Sequence, residues 1–546
     1  MNSIKYGLRF LSLILLILAN HIYASTVEEQ LKANIVDSNF FRPMCNKNSR
    51  CRSALTKQFY VQNNAIPIWV QDNHIKKDAE SLIAIIKDSY KDGINSNNYT
   101  LDNVEELITE YNNSKESSDR SAILANLDAS LTDLFFQYAN TLVYGQINIK
   151  EVYPTWNINK HSIDLIAKLN EINKNNINDI VNSLLPTDPQ YQKLKDKLAI
   201  YQQIVINGGW KTIPNGPKLK LGDKSKRVQL LQERLLITGE LNSIKQKGVF
   251  DKSLKKAVML FQKSHGIYPD GIVGQSTLQA LNVSAEMRTR QIELNMERIR
   301  LLPNDLGRKY ILVNIPDYSL AVFDDNKMIL SMPVIVGRDQ KLQSCVLSSA
   351  IRYVDFNPYW YIPNSIAIKE ILPKLKRDPK YLYNHNMEVF TNYGTPPIDP
   401  TTIDWKSISE SNFSYKFRQI PSESNPLGQV KFIFPNSCGI YLHDTSDPEL
   451  FKHSKRAFSH GCIRIGKPID LATYLLSDKS NWTRDQILST IKTGKNKAIY
   501  LSEPINIYIV YQTAWVNESG ILQFRNDIYN IDSVAYTLVN KPVNAK

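Results

Sequence analysis

The spacing of apolar residues changes once along this chain, and that change constrains the fold most. Up to about residue 308 the apolar residues recur at helical spacing, as in Ala79–Ile94 and Leu127–Val143. From Lys309 onward they alternate with a period of two, as in Tyr310–Ile315 and Lys327–Val336. The sequence therefore predicts a multidomain α + β protein in which helices come first and a mainly β domain follows.

The length of 546 residues predicts several domains. Breaker residues and shifts of the apolar pattern mark the boundaries between them. The predicted units are a leader (1–24), a helical scaffold (25–210), a small three-helix unit (218–283), a linker helix acting as a rigid connector (284–308), a mainly β domain (309–512) and a C-terminal extension (513–546). Residues 366–426 interrupt the β pattern with a helix and then irregular chain rich in Pro and Tyr. We interpret this insertion as a cap over an active site, with a passive surface elaboration as the alternative.

The first residues have the pattern of a secretory signal peptide. Lys5 and Arg9 precede the mainly apolar run Phe10–Ala19, and the small residue Ala24 offers a cleavage point. Ten residues are too few to cross a bilayer core of about 30 Å as a helix, although an uncleaved anchor is the alternative. We therefore expect export to the periplasm, with a soluble mature protein.

Charge and cysteine content exclude some classes of protein. The chain has 66 Lys and Arg against 53 Asp and Glu, a net charge of +13, and +11 without residues 1–24. The basic residues are scattered, which does not favour nucleic-acid binding; a polyanionic surface or a carboxylate-bearing substrate is the better match. Five cysteines in a chain of this length exclude a disulfide-rich module.

Residues 441–465 contain the groups from which an acyl-transfer site could be built. Cys462 can act as a nucleophile if an imidazole takes its proton and forms an ion pair with the thiolate. Gly461 leaves room for substrate, and backbone N–H groups at this point could hold an oxyanion. Arg464 would lie on the same side of an extended chain as Cys462 and could meet a substrate carboxylate.

The same segment contains three histidines, and spacing alone does not choose the base. His443 ends a strand-like run, His460 lies two residues before Cys462, and His453 is in a solvated lysine-rich loop. A zinc site is one alternative, but these spacings match no common zinc site. The other alternative is a buried structural cysteine near histidines whose hydrogen bonds are satisfied within the protein.

The string Ser459–Arg464, SHGCIR, resembles the signature of L,D-transpeptidases with a YkuD-type catalytic domain. The resemblance implies that Cys462 is the nucleophile and His443 the general base, oriented by a backbone carbonyl or a neighbour, with the Asp444 side chain a weaker candidate for that role. It also implies a structural or oxyanion-side role for His460 and places Gly461 at the catalytic turn.

Further strings, at 356–367, 425–437 and 508–529, resemble the large periplasmic YcbB-like group of Gram-negative L,D-transpeptidases. That resemblance implies substrate-pocket roles, for which the candidates are Arg464, Tyr441, Trp360 and Ser459. Residues 218–283, with the ending DGIVGQSTLQAL, resemble a peptidoglycan-binding module, which could also serve only as a spacer. Two departures from the group, Ser344–Cys345 and Cys438, add thiols to the domain.

The resemblance implies a cell-wall enzyme without metal or cofactor that acts in wall biogenesis and cell shape. Its expected reaction joins two diaminopimelate residues in a 3–3 crosslink by a cysteine thioester, using peptidoglycan tetrapeptide stems as substrate, with wall synthases and carboxypeptidases as neighbours and carbapenems as inhibitors. Trimming by hydrolysis, attachment of lipoproteins, and a wall-binding scaffold without activity stay open as alternatives.

Two cysteine pairs are candidates for disulfides in an oxidising compartment, and the sequence leaves both pairings open. Cys45 and Cys51 could close a small loop, and Cys345 and Cys438 flank strands of one domain. Cys462 must stay free to react.

Overall fold

The structure is a computed structural model that describes residues 26–37, 51–154, 156, 158 and 162–539. The predicted signal peptide and Cys45, hence the predicted Cys45–Cys51 pair, lie outside the described residues. No helix within the described residues is long and apolar enough to span a membrane.

Helices dominate the N-terminal part, as predicted. They are Val27–Val36, Ser53–Gln62, Lys77–Lys87, Leu101–Asn113, Ser117–Tyr144, Ile149–Val152, Leu165–Asn170, Ile177–Leu184 and Pro189–Ile206, with short 3₁₀ turns between some of them and a small hairpin of β1 (Val70–Gln71) and β2 (His74–Ile75). The 28-residue helix Ser117–Tyr144 lies at the centre, and its Leu131, Phe135 and Tyr138 are fully buried. The apolar faces of its neighbours pack around it, so one core forms.

A buried carboxylate ties this scaffold together. Asp128 accepts hydrogen bonds from the Tyr60 hydroxyl at 2.5 Å and from the backbone N–H groups of Ile68 and Trp69 at 3.2 and 2.7 Å. Burial raises the pKa of Asp128 to about 6.

The small unit that follows consists of three helices, Lys226–Ile237, Lys252–Ser264 and Gln275–Leu281, around its own apolar core. Ser225 and Asp251 cap the first two helices by accepting hydrogen bonds from backbone N–H groups. Sequence and structure agree on a compact helical unit here.

The helix predicted as a rigid connector is instead buried. Ala285–Arg300 packs against Pro189–Ile206 and against the C-terminal hairpin, and most of its charged residues are covered. Arg300 is 0% exposed and pairs with Glu297 at 2.9 Å, while it also donates to the Tyr191 hydroxyl at 2.8 Å. The helix still links the module to the mainly β domain, and its charges have buried partners from distant parts of the chain.

The catalytic candidates belong to a sheet of nine strands, all within residues 309–510. The strands are β3 (Lys309–Asn314), β4 (Ser319–Asp324), β5 (Lys327–Gly337), β6 (Leu347–Phe356), β10 (Val430–Ile433), β11 (Leu442–His443), β12 (Ala457–Ser459), β13 (Ile463–Ile465) and β14 (Lys497–Val510). Their order is β12-β5-β13-β11-β10-β6-β14-β3-β4, and β4 also pairs with β5. The sheet therefore closes on itself around a large apolar core. Helices Pro468–Leu475 and Arg484–Lys492 precede the last strand.

The insertion is more ordered than the sequence predicted. Its expected helix is present as short helical pieces, Asn364–Ile366, Ala367–Ile371 (a π-helix) and Leu372–Leu375, followed by Tyr381–Asn384. The chain predicted as irregular contains β8 (Met387–Phe390) and β9 (Lys416–Gln419), and both β8 and β7 (Trp360–Ile362) pair with β9. The period-two signal is weak here because these strands have only three or four residues each.

The C-terminal segment completes the packing between the parts. β15 (Ala514–Val516) and β16 (Leu522–Phe524) form a hairpin against the helices Pro189–Ile206 and Ala285–Arg300, and a last helix spans Ile531–Val539. The predicted multidomain α + β architecture is confirmed.

Candidate active site

Cys462 lies in a tight turn between β12 and β13. Gly461 has φ +118°, a conformation that side chains rarely adopt, so the turn requires glycine. The Ser459 hydroxyl donates to the Cys462 carbonyl at 2.5 Å and accepts from the Gly461 N–H at 3.1 Å. Ser459, a predicted substrate-binding residue, thus has its hydroxyl committed to shaping the nucleophile turn.

A second serine holds the turn from outside. The Ser344 hydroxyl donates to the Gly461 carbonyl at 2.7 Å and accepts from the Gly337 N–H at 3.0 Å. The sequence argument noted Ser344 only as a departure from the family pattern. Its role depends on where β5 ends relative to Gly461, which sequence spacing does not reveal.

The structure contains the predicted Cys345–Cys438 disulfide, with Cα atoms 6.6 Å apart. It joins the residue after Ser344 to the loop that leads into Tyr441. Two segments that form the site are thereby tied to each other, while Cys462 is a free cysteine.

His443 lies between two cations across the sheet. Lys431 of β10 and Arg464 of β13 are its register partners on either side. The ring is 4% exposed, and its Nδ1 bonds the Asp444 carbonyl oxygen at 2.5 Å, with the Leu427 carbonyl as a further acceptor. Burial and then Arg464 lower the pKa of His443 to about 3, so the ring is neutral at pH 7.

The group that orients His443 is therefore a main-chain carbonyl, one of the options that the resemblance implied. The Asp444 carboxylate turns away and accepts from the Gln429 N–H at 2.9 Å. Gly428 has φ +62°, and a Cβ there would come within 2.4 Å of that carboxylate. The small residue permits the close approach.

The expected thiolate–imidazolium ion pair is not the resting state that this geometry favours. Burial raises the pKa of the Cys462 thiol, although Tyr441, Lys431 and Arg464 oppose that shift, and burial keeps His443 neutral. No hydrogen bond joins His443 to Cys462 among the described side chains; the thiol interacts with Tyr441 instead. A neutral thiol and a neutral imidazole suit general-base catalysis, in which the proton moves as the sulfur attacks.

Tyr441 links the thiol to a cation that sequence reasoning missed. Lys431 Nζ lies 3.8 Å from the centroid of the Tyr441 ring, and that ring is 5.7 Å from the His443 ring. Lys431 occupies one position of an ordinary alternating strand, so only the register of β10 against β11 brings it to the site.

Arg464 has an unsatisfied donor at the site. Its buried Nε has no hydrogen-bond partner within the described residues, and Asp447 and Cys462 are the titratable groups that interact with it. An unpaired guanidinium N–H near Cys462 is suited to a carboxylate or carbonyl of a substrate.

The remaining candidates face elsewhere. His460 Nε2 lies 2.6 Å from Glu370 Oε1 of the insertion, and Trp360 packs on the apolar core of the insertion. His453 is exposed, as predicted. No group of three or more possible metal-binding side chains lies together in the described parts of the chain.

Comparison with known families matches three parts of the chain. An "L,D-transpeptidase catalytic domain" model matches residues 308–494, a "Putative peptidoglycan binding domain" model matches 224–281, and a "Scaffold domain" model matches 54–198. The chain therefore contains these three domains, as the sequence resemblance implied.

Individual relatives are consistent with the domain matches. A Haemophilus influenzae protein named "Putative L,D-transpeptidase" is 35% identical over 244 residues, which are 45% of this chain and 48% of that protein. The match thus spans about half the length of this curated relative.

Two solved L,D-transpeptidase structures also align with the chain. The one from Xylanimonas cellulosilytica is 15% identical over 54% of this chain and 100% of its own, with a TM-score of 0.18. The one from Stackebrandtia nassauensis is 13% identical over 54% of this chain and 94% of its own, with a TM-score of 0.20. These scores are too low to support an argument about geometry.

Proposed function

We propose that this protein is a periplasmic peptidoglycan L,D-transpeptidase that forms 3–3 crosslinks through a thioester on Cys462. The observation that carries the proposal is the placement of a free cysteine on a glycine turn, with a neutral histidine and an unpaired arginine on the neighbouring positions of the same sheet. The catalytic-domain match over residues 308–494 gives the class of reaction.

In the first half-reaction Cys462 Sγ attacks the carbonyl between diaminopimelate and the terminal D-alanine of a tetrapeptide stem. His443 accepts the thiol proton on Nε2, the ring nitrogen that does not bond Asp444. Catalytic hydrogen bonds often tighten only when substrate binds, which fits the absence of a His443–Cys462 bond in the described residues. We assign the stabilisation of the oxyanion to the backbone N–H of Cys462. The C–N bond then breaks, His443 returns the proton to the departing amine, and D-alanine leaves.

In the second half-reaction the amine of another diaminopimelate attacks the thioester. His443 takes a proton from the amine, the C–S bond breaks, and the sulfur recovers a proton, so the enzyme returns to its resting state. The insertion lies against the nucleophile turn through Glu370, and we assign it the exclusion of water, which would otherwise hydrolyse the thioester.

Two cationic side chains, one lysine and one arginine, give the site its preference for a substrate with a carboxylate. Arg464, whose Nε is unpaired, and Lys431 create a positive site suited to the free carboxylate of the stem. This is consistent with peptidoglycan, whose stems end in carboxylates.

Mass analysis of wall fragments tests the proposal. Sacculi rich in tetrapeptide stems are incubated with wild type or with Cys462→Ala, digested, and the fragments are weighed. The proposal predicts dimers with loss of one D-alanine only with wild type. Tripeptide monomers without dimers would show hydrolysis instead of transfer, and no change with wild type would refute both.

A further inference from the structure

A groove of about 960 Å³ separates the three-helix module from the catalytic domain. One wall contains His265, Tyr268 and Asp270 of the module, and the other contains Tyr318 and residues 454–456, just before β12. Neither domain alone forms this site.

The two walls are held as one unit by Arg525. Its Nε bonds Asp317 of the catalytic domain at 2.7 Å, and its Nη1 donates to the Ser264 carbonyl of the module at 3.0 Å. A Cβ at Gly266 would lie 2.7 Å from the Arg525 side chain, so the close contact needs glycine. The groove is therefore a fixed feature and not a gap between loosely joined domains.

The acidic residues of the groove already have partners. Asp270 accepts from Gln262 and from the Ile272 N–H, both at 2.8 Å, and Asp317 is paired with Arg525. Asp527 likewise accepts from the Tyr511 hydroxyl at 2.6 Å.

Of the basic residues that line the groove, the two arginines are bonded within the protein and two lysines remain. The Arg456 guanidinium donates to the carbonyls of Val334, His453 and Tyr318 at 2.9–3.2 Å. Lys218 and Lys455, one on each wall, are exposed and have no partner among the described side chains. These two ammonium groups leave the groove positive, which favours a ligand with carboxylates.

Two further groups point to a polyhydroxylated ligand. His265 is 8% exposed and bonds the Phe261 carbonyl through Nδ1 at 2.8 Å, whereas its Nε2 has no partner within the described part of the chain. Tyr268 is 75% exposed at the rim, where a flat aromatic ring offers a stacking surface for a sugar. An acceptor, an aromatic face and two cations together match a glycan that bears peptides.

We propose that this interdomain groove binds a peptidoglycan strand and aligns its stems with Cys462. Lys455 is seven residues from Cys462, so the two lie at most about 25 Å apart. A glycan strand that is seated in the groove and extends beyond it would carry stems toward Cys462. This inference rests on the proposed function and adds where the wall polymer is held.

The test measures retention of full-length protein on insoluble sacculi. The double variant Lys218→Glu/Lys455→Glu should bind at least tenfold more weakly than wild type, and Tyr268→Ala should also bind more weakly. The matched control Lys245→Glu/Lys252→Glu has the same charge change on the module away from the groove and should bind like wild type. Soluble muropeptides should compete, whereas polyglutamate of equal charge should not.

Equal retention of the groove and control variants, no retention of wild type, or competition by polyglutamate would each overturn the inference. Acylation of Cys462 by a carbapenem, followed in parallel by intact mass, reports on the proposed function separately. An acylated wild type whose groove variants still bind sacculi normally rejects the groove alone, and an unacylated wild type rejects the proposed function.

Discussion

His460 Nε2 lies 2.6 Å from Glu370 Oε1, although 90 positions separate the two residues. The contact joins the nucleophile turn to the insertion, and Glu370 belongs to a π-helix, Ala367–Ile371, a rare element that is frequent at functional sites. A hydrogen bond to the carboxylate requires a proton on Nε2. Glu370 therefore favours the His460 ring with its proton on Nε2. The insertion thereby influences a residue two positions from the nucleophile.

Replacing Glu370 with Gln should shift the fate of the acyl-enzyme. The neutral amide keeps the shape but weakens the bond to His460, so the insertion should close less tightly and admit water. We expect the ratio of hydrolysis to transfer to rise about threefold to tenfold, measured as tripeptide monomers against dimers. Glu410→Gln, elsewhere in the insertion, is the control. An unchanged ratio in Glu370→Gln would show that the contact of the insertion with His460 does not serve to exclude water.

Acidification should destabilise the protein through His443. Its pKa is about 3 in the folded protein against about 6.5 in an unfolded chain, so between these values the unfolded state binds the additional proton. The free energy of unfolding should therefore fall by about 1.4 kcal/mol for each pH unit below 6.5. Urea unfolding of wild type and His443→Gln at pH 6.5 and 4.5 measures this contribution.

The variant should lose less stability than wild type over that interval. His453→Gln, which changes an exposed histidine, should behave as wild type. Parallel losses in wild type and His443→Gln would mean that His443 is not held neutral by burial.

Loss of the Cys345–Cys438 disulfide should affect both stability and activity. The bond closes a loop of 93 residues, and such crosslinks contribute about 2–4 kcal/mol. Acylation should also slow because the neighbouring Ser344 holds the Gly461 carbonyl. Cys345→Ala/Cys438→Ala, compared with oxidised and reduced wild type by thermal unfolding and acylation rate, checks this. A double variant that acylates as fast as oxidised wild type would contradict the positioning role.

The buried pair Arg300–Glu297 should be costly to break from one side. Arg300→Ala leaves the Glu297 carboxylate, 1% exposed, without its ion-pair partner, and such losses cost about 3–5 kcal/mol. Arg290→Ala, an exposed arginine of the same helix, should cost less than about 1 kcal/mol. The denaturant midpoints of the two variants, compared with that of wild type, measure these losses of stability. Similar values would show that the buried Arg300–Glu297 pair contributes no more to stability than an exposed arginine does.

The features that the sequence predicted well are local ones. Alternating residues predict β3, β4 and β5 to within a residue or so at each end, because half-buried strands need that pattern. The SHGCIR string, likewise, specifies a turn whose glycine is required by its own backbone conformation.

The features that it missed depend on distant partners. One such feature is the burial of the helix Ala285–Arg300, because its charges are visible in the sequence whereas partners such as Tyr191 are distant along the chain. Lys431 becomes part of the site only through the register of two strands, and β8 and β9 are too short for a periodic signal.

The most direct test of the account is the intact mass of the protein after brief incubation with a disaccharide-tetrapeptide. We predict a covalent adduct equal to the donor minus D-alanine, mapped to Cys462, absent in Cys462→Ala and formed at least a hundredfold more slowly in His443→Gln. Wild type that is folded yet acquires no adduct, or an adduct on any residue other than Cys462, would contradict the central claim.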